Sequence, residues 1–218
     1  MIRNIKFFNK NLVLILNKPI FLTSNYFIQL IKKYSLFEKI GHAGTLDPSA
    51  SGVLIVCTNS KTAFLNVLIE QRKRYLVFSI VGIDSVSLDF FGKIKYFDFR
   101  KINVETYIIK SFLYSIRTNT FQKSPIYSSV KHNGYSFYKY SRLDQSVRAK
   151  NHTVKIYKFF LIKKIENVLI FDIECSKGTY VREIVNSLSC KFKLPIVVYR
   201  IIRLKISNYS ILNSFNLF

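Results

Sequence analysis

Asp47 stands in the stretch GHAGTLDPSASG, residues 41–52, where residue types useful for chemistry are concentrated. Three of the chain's seven glycines fall there, with one of its three histidines and one of its four prolines. A residue before proline is pushed out of the helical region, so Asp47 is presented from extended backbone. Gly41, Gly44 and Gly52 permit tight turns and the close approach of another molecule. An apolar segment, VLIVC at 53–57, follows at once and provides a rigid mount. A carboxylate on a loop held by a buried strand is well placed for chemistry. On these residues alone an ordinary Asp-Pro turn is the alternative. The loop is not a phosphate cradle: it lacks the Walker spacing and its Lys, and puts an acid where phosphate would sit.

The elements that must position this loop follow from the pattern around it. NLVLILNKP, 11–19, reads as a strand stopped at Lys18-Pro19. Ser24 is placed to cap a helix over 25–36 with Phe27, Leu30 and Ile31 on one face. A second helix over 60–70 aligns Ala63, Phe64, Val67 and Leu68. KRYLVFSIVG, 73–82, reads as a long strand, with GKIKYF, 92–97, as its partner across a turn. Asn103 is placed to cap a helix carrying Ile108, Ile109, Phe112 and Leu113. TVKIYKFFLI and NVLIFDIEC flank a turn near 164–167 and form a hairpin. A helix over 178–192 and a strand over 199–206 close the chain. Hairpin-like neighbours outnumber strict β-α-β alternation, so the fold class is α+β, a largely antiparallel mixed sheet flanked by helices. No Pro/Gly-rich linker divides the 218 residues, so 1–218 reads as a single domain.

The charge balance points to a polyanion. Lys and Arg number 34 against 12 Asp and Glu, a formal charge of +22. Nucleic acid is the first candidate and a membrane surface the second. Apolar runs such as LVLIL, 12–16, fall far short of the roughly 20 residues a bilayer needs. No small-residue cleavage site follows the basic start, so no signal peptide is read. An AT-rich codon bias accounts for abundant Lys and Asn better than for the shortage of Asp and Glu. Cys57, Cys175 and Cys190 are odd in number and widely spaced, with no CxxC pair, which fits a reducing cytoplasm and argues against a zinc site.

GHAGTLDPSASGVLIVC, 41–57, resembles the catalytic motif of the TruB family of tRNA pseudouridine synthases at every fixed position. Four more segments resemble that family in its order: NKPIFLTSN (17–25), KRYLVFSIVGIDSVSLDFFG (73–92), FQKSPIYSSVKHNGYSFYKYSR (121–142) and CSKGTYVREIVNSL (175–188). The resemblance implies the pseudouridine synthase fold and isomerisation of the T-loop uridine at tRNA position 55. The glycosidic bond is broken, the uracil turned, and the base rejoined through C5, so no cofactor or metal is implied. It further implies a cytoplasmic monomer whose partner is the T arm or elbow of tRNA, with no guide RNA and no membrane.

The same resemblance assigns roles. Asp47 is the implied nucleophile, attacking ribose or base or assisting an elimination; the sequence does not choose. Arg182 is the implied cation that keeps it ionised, and Tyr75 the aromatic beneath the flipped uracil. His42 fills the gap the base leaves. Lys18, Lys177, Tyr180, Gly44, Gln122 and Lys131 fall on motif positions as substrate or RNA contacts, and Pro19, Pro125 and Tyr127 shape the pocket. Lys73 and Arg74 adjoin Tyr75. Taken singly, each Lys has a plainer reading as a solvated surface charge, and Tyr75 and Tyr180 as packing aromatics. Asn17, Phe21, Ser124 and Ile202 depart from the family pattern, Phe21 standing where Gly is usual. Family members commonly carry a C-terminal RNA-binding PUA domain, for which no room is seen after Phe218; the +22 charge would then help the catalytic domain alone to hold tRNA. The rival readings are a non-catalytic tRNA-folding chaperone, a guide-RNA-dependent rRNA synthase and a basic ribosome-associated protein.

Overall fold

The computed structural model describes residues 10–97, 105–123, 131–132, 135–136 and 151–217. In chain order the elements begin β1 (Val13–Lys18), α1 (Ser24–Lys33), β2 (Ile40–His42), β3 (Ala50–Thr58), a 3-10 turn (Asn59–Phe64) and α2 (Leu65–Ile69). They continue β4 (Lys73–Val81), β5 (Ile83–Ser85), β6 (Ile94–Phe97), α3 (Thr106–Ser115), β7 (Asn119–Lys123), β8 (Lys131–His132) and β9 (Tyr135–Ser136). The last are β10 (Asn151–Ile165), β11 (Val168–Cys175), α4 (Val181–Phe192), β12 (Ile196–Ile206) and β13 (Tyr209–Ser210). Contacts divide the chain into two compact units, Met1–Leu76 with Ile201–Phe218, and Val77–Arg200.

The first unit is built around β3. Val53, Leu54, Ile55, Val56 and Cys57 are all fully buried. Alternate residues serve opposite faces of a strand. Leu54 and Val56 join Leu16, Phe27, Ile28, Ile31 and Phe37 in one cluster, on α1. Val53, Ile55 and Cys57 join Ala43, Leu68 and Ile206 in another. A strand buried on both faces must be apolar throughout, which is why VLIVC does not alternate. One edge of β3 pairs antiparallel with β1, from Val13↔Cys57 to Lys18↔Gly52. The other carries β2 antiparallel, from Ile40↔Thr58 to His42↔Val56, and β12 parallel, from Ile201↔Ala50 to Arg203↔Gly52.

In the second unit β4, β11, β10 and β7 are neighbours in that order. β10 pairs antiparallel with β7 and with β11, and the hairpin turns at Glu166, whose φ is 49°. Phe159 and Phe171 meet edge to face at 5.3 Å in its core. Val181, Ile184, Val185 and Leu188 bury one stripe of α4. The α+β class and mixed, largely antiparallel sheet match the expectation; β3 with β12 is a parallel pair.

Several local expectations change. Thr23, not Ser24, caps α1, accepting from the Tyr26 amide at 3.1 Å. The 60–70 helix is a 3-10 turn followed by five residues of α-helix, and Phe64 and Val67 are exposed. β6 pairs with the short β5, not with β4; β5 follows β4 after Gly82 at φ 98°, which takes the chain out of the β4 strand. α3 starts after Glu105, which makes no side-chain cap; Asn103, Ser124, Pro125 and Tyr127 lie outside the described residues. The tightest constraint is at Gly52, with φ 109°, where an added Cβ would come within 2.3 Å of the Arg203 carbonyl oxygen and 2.7 Å of its nitrogen. Neither atom can retreat, since both belong to paired backbone.

Gly178, by contrast, has φ 72° with nothing within 4 Å of an added Cβ. Gly52→Ala is therefore expected to lower the unfolding free energy by about 3 kcal/mol or more. Gly178→Ala, which meets conformational strain only, is expected to lose about 1 kcal/mol. Urea denaturation of the two variants beside the parent chain checks the contrast.

Candidate active site

Asp47 lies in the connection from β2 to β3, and hydrogen bonds fix its backbone on either side. Leu46, before it, is buried; its amide donates to the Ser24 hydroxyl oxygen at 2.9 Å, and its carbonyl accepts from the same hydroxyl at 3.1 Å. Pro48, after it, accepts from the Phe21 amide at 2.7 Å. The Asp47 carbonyl itself accepts from the Ala50 amide at 3.0 Å. Gly44 turns the chain at φ 88°, and its carbonyl accepts from the Arg203 guanidinium at 3.0 Å. The carboxylate is half-buried on a loop whose backbone is already organised.

Buried cations lie near this loop. Arg203 is 1% exposed, and its Nε also donates to the Val53 carbonyl at 2.7 Å. Lys18 is fully buried, and its ammonium donates to the carbonyls of Pro19 and Leu22, each at 2.7 Å. Burial and the nearby Arg203 charge lower the Lys18 pKa to about 8, against the opposing pull of Asp47. Lys73 is buried as well and donates to the carbonyls of Ile69 and Gln71, each at 2.7 Å. The reading of Lys18 as a solvated surface charge does not hold. Main-chain carbonyls replace the water that these ammonium groups lose.

His42 Nε2 lies 3.2 Å from the Asn25 side-chain oxygen, while its Nδ1 is buried without a hydrogen-bond partner. Burial and then Arg203 lower its pKa, so the ring is neutral near pH 7. A neutral imidazole that donates from Nε2 presents Nδ1 as an acceptor. Tyr75, on β4, is 7% exposed and shares its strand face with Lys73 and Val77.

The remaining candidates belong to the second unit. Arg182, on α4, is 4% exposed; its guanidinium donates to the Ser87 carbonyl at 2.7 Å and lies 3.4 Å from the Asp89 carboxylate. Ser87 donates to that same carboxylate at 2.7 Å. Arg182 is therefore a buried cation and not a solvated helix residue. Gln122 is buried and clasps the backbone of Tyr180, accepting from its amide at 3.0 Å and donating to its carbonyl at 3.2 Å. Tyr180 sits at the N-cap of α4 and faces the His152 ring at 5.8 Å. Lys177 is exposed, and Lys131 begins β8.

Asp47, Tyr75, His42, Lys18 and Gly44 thus share the first unit, while Arg182, Gln122, Tyr180, Lys177 and Lys131 belong to the second. Three residues of the Asp47 loop's support escape the sequence reading: Ser24 as a clamp, and Lys73 and Arg203 as buried cations. For Arg203 a signal exists, since period two puts it in phase with the buried Ile201. Among the described residues no group of three or more His, Cys, Asp or Glu could hold a metal ion, and no helix is long and apolar enough to cross a membrane.

Residues 32–181 match the model of the TruB family pseudouridylate synthase N-terminal domain. The chain is 34% identical over 219 residues to tRNA pseudouridine synthase B of Malacoplasma penetrans (strain HF-2), covering 100% of this chain and 94% of that protein. It is 35% identical over 207 residues to the protein of that name from Blochmanniella pennsylvanica (strain BPEN), covering 95% and 79%. The fold matches the structure titled a Cbf5-Nop10-Gar1 complex with TM-score 0.73 at 22% identity, over 94% of this chain and 52% of the other.

The buried ammonium of Lys18 generates a pH prediction. Its folded-state pKa of about 8 lies below the ordinary 10.5, so between those values the unfolded chain holds a proton that the folded chain has lost. The burden of burying the cation is full below that window and is relieved as pH rises through it. Wild-type protein is therefore expected to gain stability relative to Lys18→Met as pH climbs from about 8 toward 10.5, read as paired urea midpoints. A difference that stays flat across the window overturns the assignment.

Proposed function

Because the chain belongs to the TruB family of pseudouridylate synthases, we propose that it isomerises a uridine of tRNA to pseudouridine, at the T-loop position 55 that its motifs imply. The observation that carries this reading is the Asp47 loop. It joins a complete match to the family's catalytic motif with a backbone clamped on both sides of the carboxylate. Preorganisation of this kind keeps a reacting group in place without reorganisation during the reaction.

In the proposed reaction the N-glycosidic bond of the uridine breaks, the uracil turns, and a C–C bond forms from C5 to the ribose. The C5 proton leaves and N1 gains one, so the product is an isomer and no redox partner is needed. Asp47 serves as nucleophile, on ribose or base, or assists an elimination. Tyr75 supplies the aromatic face for the extruded base, a contact worth about 1–3 kcal/mol. Arg182 is the cation that the motif match assigns to the carboxylate. Neutral His42 takes the space the base vacates. Lys177, Tyr180, Gly44 and Lys131 make up the proposed substrate contacts, while Lys18 and Gln122, both buried, hold the backbone beside Pro19, Leu22 and Tyr180. The catalytic domain acts as a monomer, without metal or guide RNA. Relatives named tRNA pseudouridine synthase B stand at 34–35% identity, against 20–22% for structures titled as Cbf5 or H/ACA assemblies, which favours tRNA over a guided substrate.

Pseudouridine mapping of tRNA incubated with purified protein tests the reading. Wild type is expected to modify the T-loop uridine. Asp47→Asn is expected to lose product formation by a factor of about 10⁴ or more while tRNA affinity stays within about threefold. Equal product from both overturns the nucleophile. Binding by both without product from either favours the folding-chaperone reading.

The charge of +22 makes a separate prediction. Each phosphate neutralised contributes a slope of about −0.7 to −0.9 to log K against log salt. Filter binding of tRNA from low to high salt is expected to give a steep line, with a total slope of about −4 or steeper. A shallow slope means that the field of the basic residues is not what holds the RNA.

A further inference from the structure

Phe21 occupies the position of the first motif where the resembled pattern has glycine, yet it keeps a glycine's backbone: its φ is 71°. A bulky side chain at positive φ is a steric outlier. The turn is held through its backbone. The Phe21 amide donates to the Pro48 carbonyl at 2.7 Å. The Lys18 ammonium donates to the carbonyls of Pro19 and Leu22, on either side of it, at 2.7 Å each. Glycine would make the same bonds with no Cβ to crowd the backbone. Core packing does not account for the ring, which is 68% exposed. Backbone strain that the surrounding bonds over-determine, in a residue whose ring faces solvent, is a pattern that collects at ligand sites.

The position of the ring narrows the ligand. Its own amide is bonded to the residue that follows Asp47, so the aromatic is tethered to the loop that carries the carboxylate. A chain of charge +22 draws RNA to its surface. Flat aromatics on such a surface stack on unpaired bases of any identity. We propose that Phe21 is an additional RNA-contact residue, its ring stacking on an unpaired base of the substrate loop next to the extruded nucleotide. This rests on the function proposed above. It assigns Phe21 a positioning role: the stacked neighbour holds the loop open while the target base is out.

The test uses the full chain, an RNA stem-loop of T-arm sequence and the same RNA with 2-aminopurine at each unpaired loop position in turn. Phe21→Gly is expected to melt no lower than wild type, because the strain is relieved, and to bind the stem-loop about tenfold more weakly. Phe21→Tyr is expected to bind within about twofold of wild type. One 2-aminopurine position is expected to be quenched by wild type and Phe21→Tyr and not by Phe21→Gly or Phe21→Leu. Wild-type affinity and quenching in Phe21→Gly overturn the proposal while leaving the proposed function intact, and leave the ring to another class of partner. Wild type that binds without forming pseudouridine overturns the function alone, and the quenching still decides the stacking. Wild type that does not bind the stem-loop overturns both.

Discussion

Three cations, Lys18, Lys73 and Arg203, are taken out of water in the first unit, and each such transfer costs several kcal/mol unless other polar groups replace the lost hydration. Here main-chain carbonyls do so, and that requirement organises the unit. Arg203 reaches the carbonyls of Gly44 and Val53 at once, which ties the β2–β3 connection to the strand that follows it. For that reach to exist, β12 must lie close against β3 at Arg203↔Gly52, and only a residue without a Cβ leaves the space. The glycine, the guanidinium and the loop are parts of a single packing solution.

The same carbonyls give the loop a defined electrostatic setting. Lys18 is held by Pro19 and Leu22, and feels Arg203 and Asp47 in opposite senses. Burial, and then Arg203, lower the pKa of His42. A positive field and a neutral imidazole belong to the same unit as the half-buried Asp47 carboxylate. In a family whose reaction moves a base without adding or removing atoms, such positioning is the contribution left to the protein. The second unit follows the same logic, with Arg182 buried against a carbonyl and a carboxylate that Ser87 also binds.

Phe21 and Gly44 show two ways of meeting one backbone demand. Both have positive φ. At Gly44 the residue type removes the strain. At Phe21 hydrogen bonds from two directions hold the turn, and the strain, about 1–2 kcal/mol for an L residue in this region, persists beneath an exposed ring.

The Asp47 motif, its apolar mount and the family were legible in the chain itself, because each is written in contiguous residues whose spacing carries the signal. So were the β10–β11 hairpin and the amphipathic stripe of α4, where period and turn residues agree. The fate of the cations was not legible. A lysine or arginine is by default a solvated charge, and only long-range neighbours make the exceptions: Lys18 lies opposite Gly52 across β1 and β3, and Arg203 reaches back to Gly44. The pairing of β6 with β5 was likewise out of reach, since Gly82 ends the strand by a dihedral that the residue permits and does not require. Contiguous residues singled out the Asp47 loop; burial, which depends on the whole packed chain, determined what surrounds it.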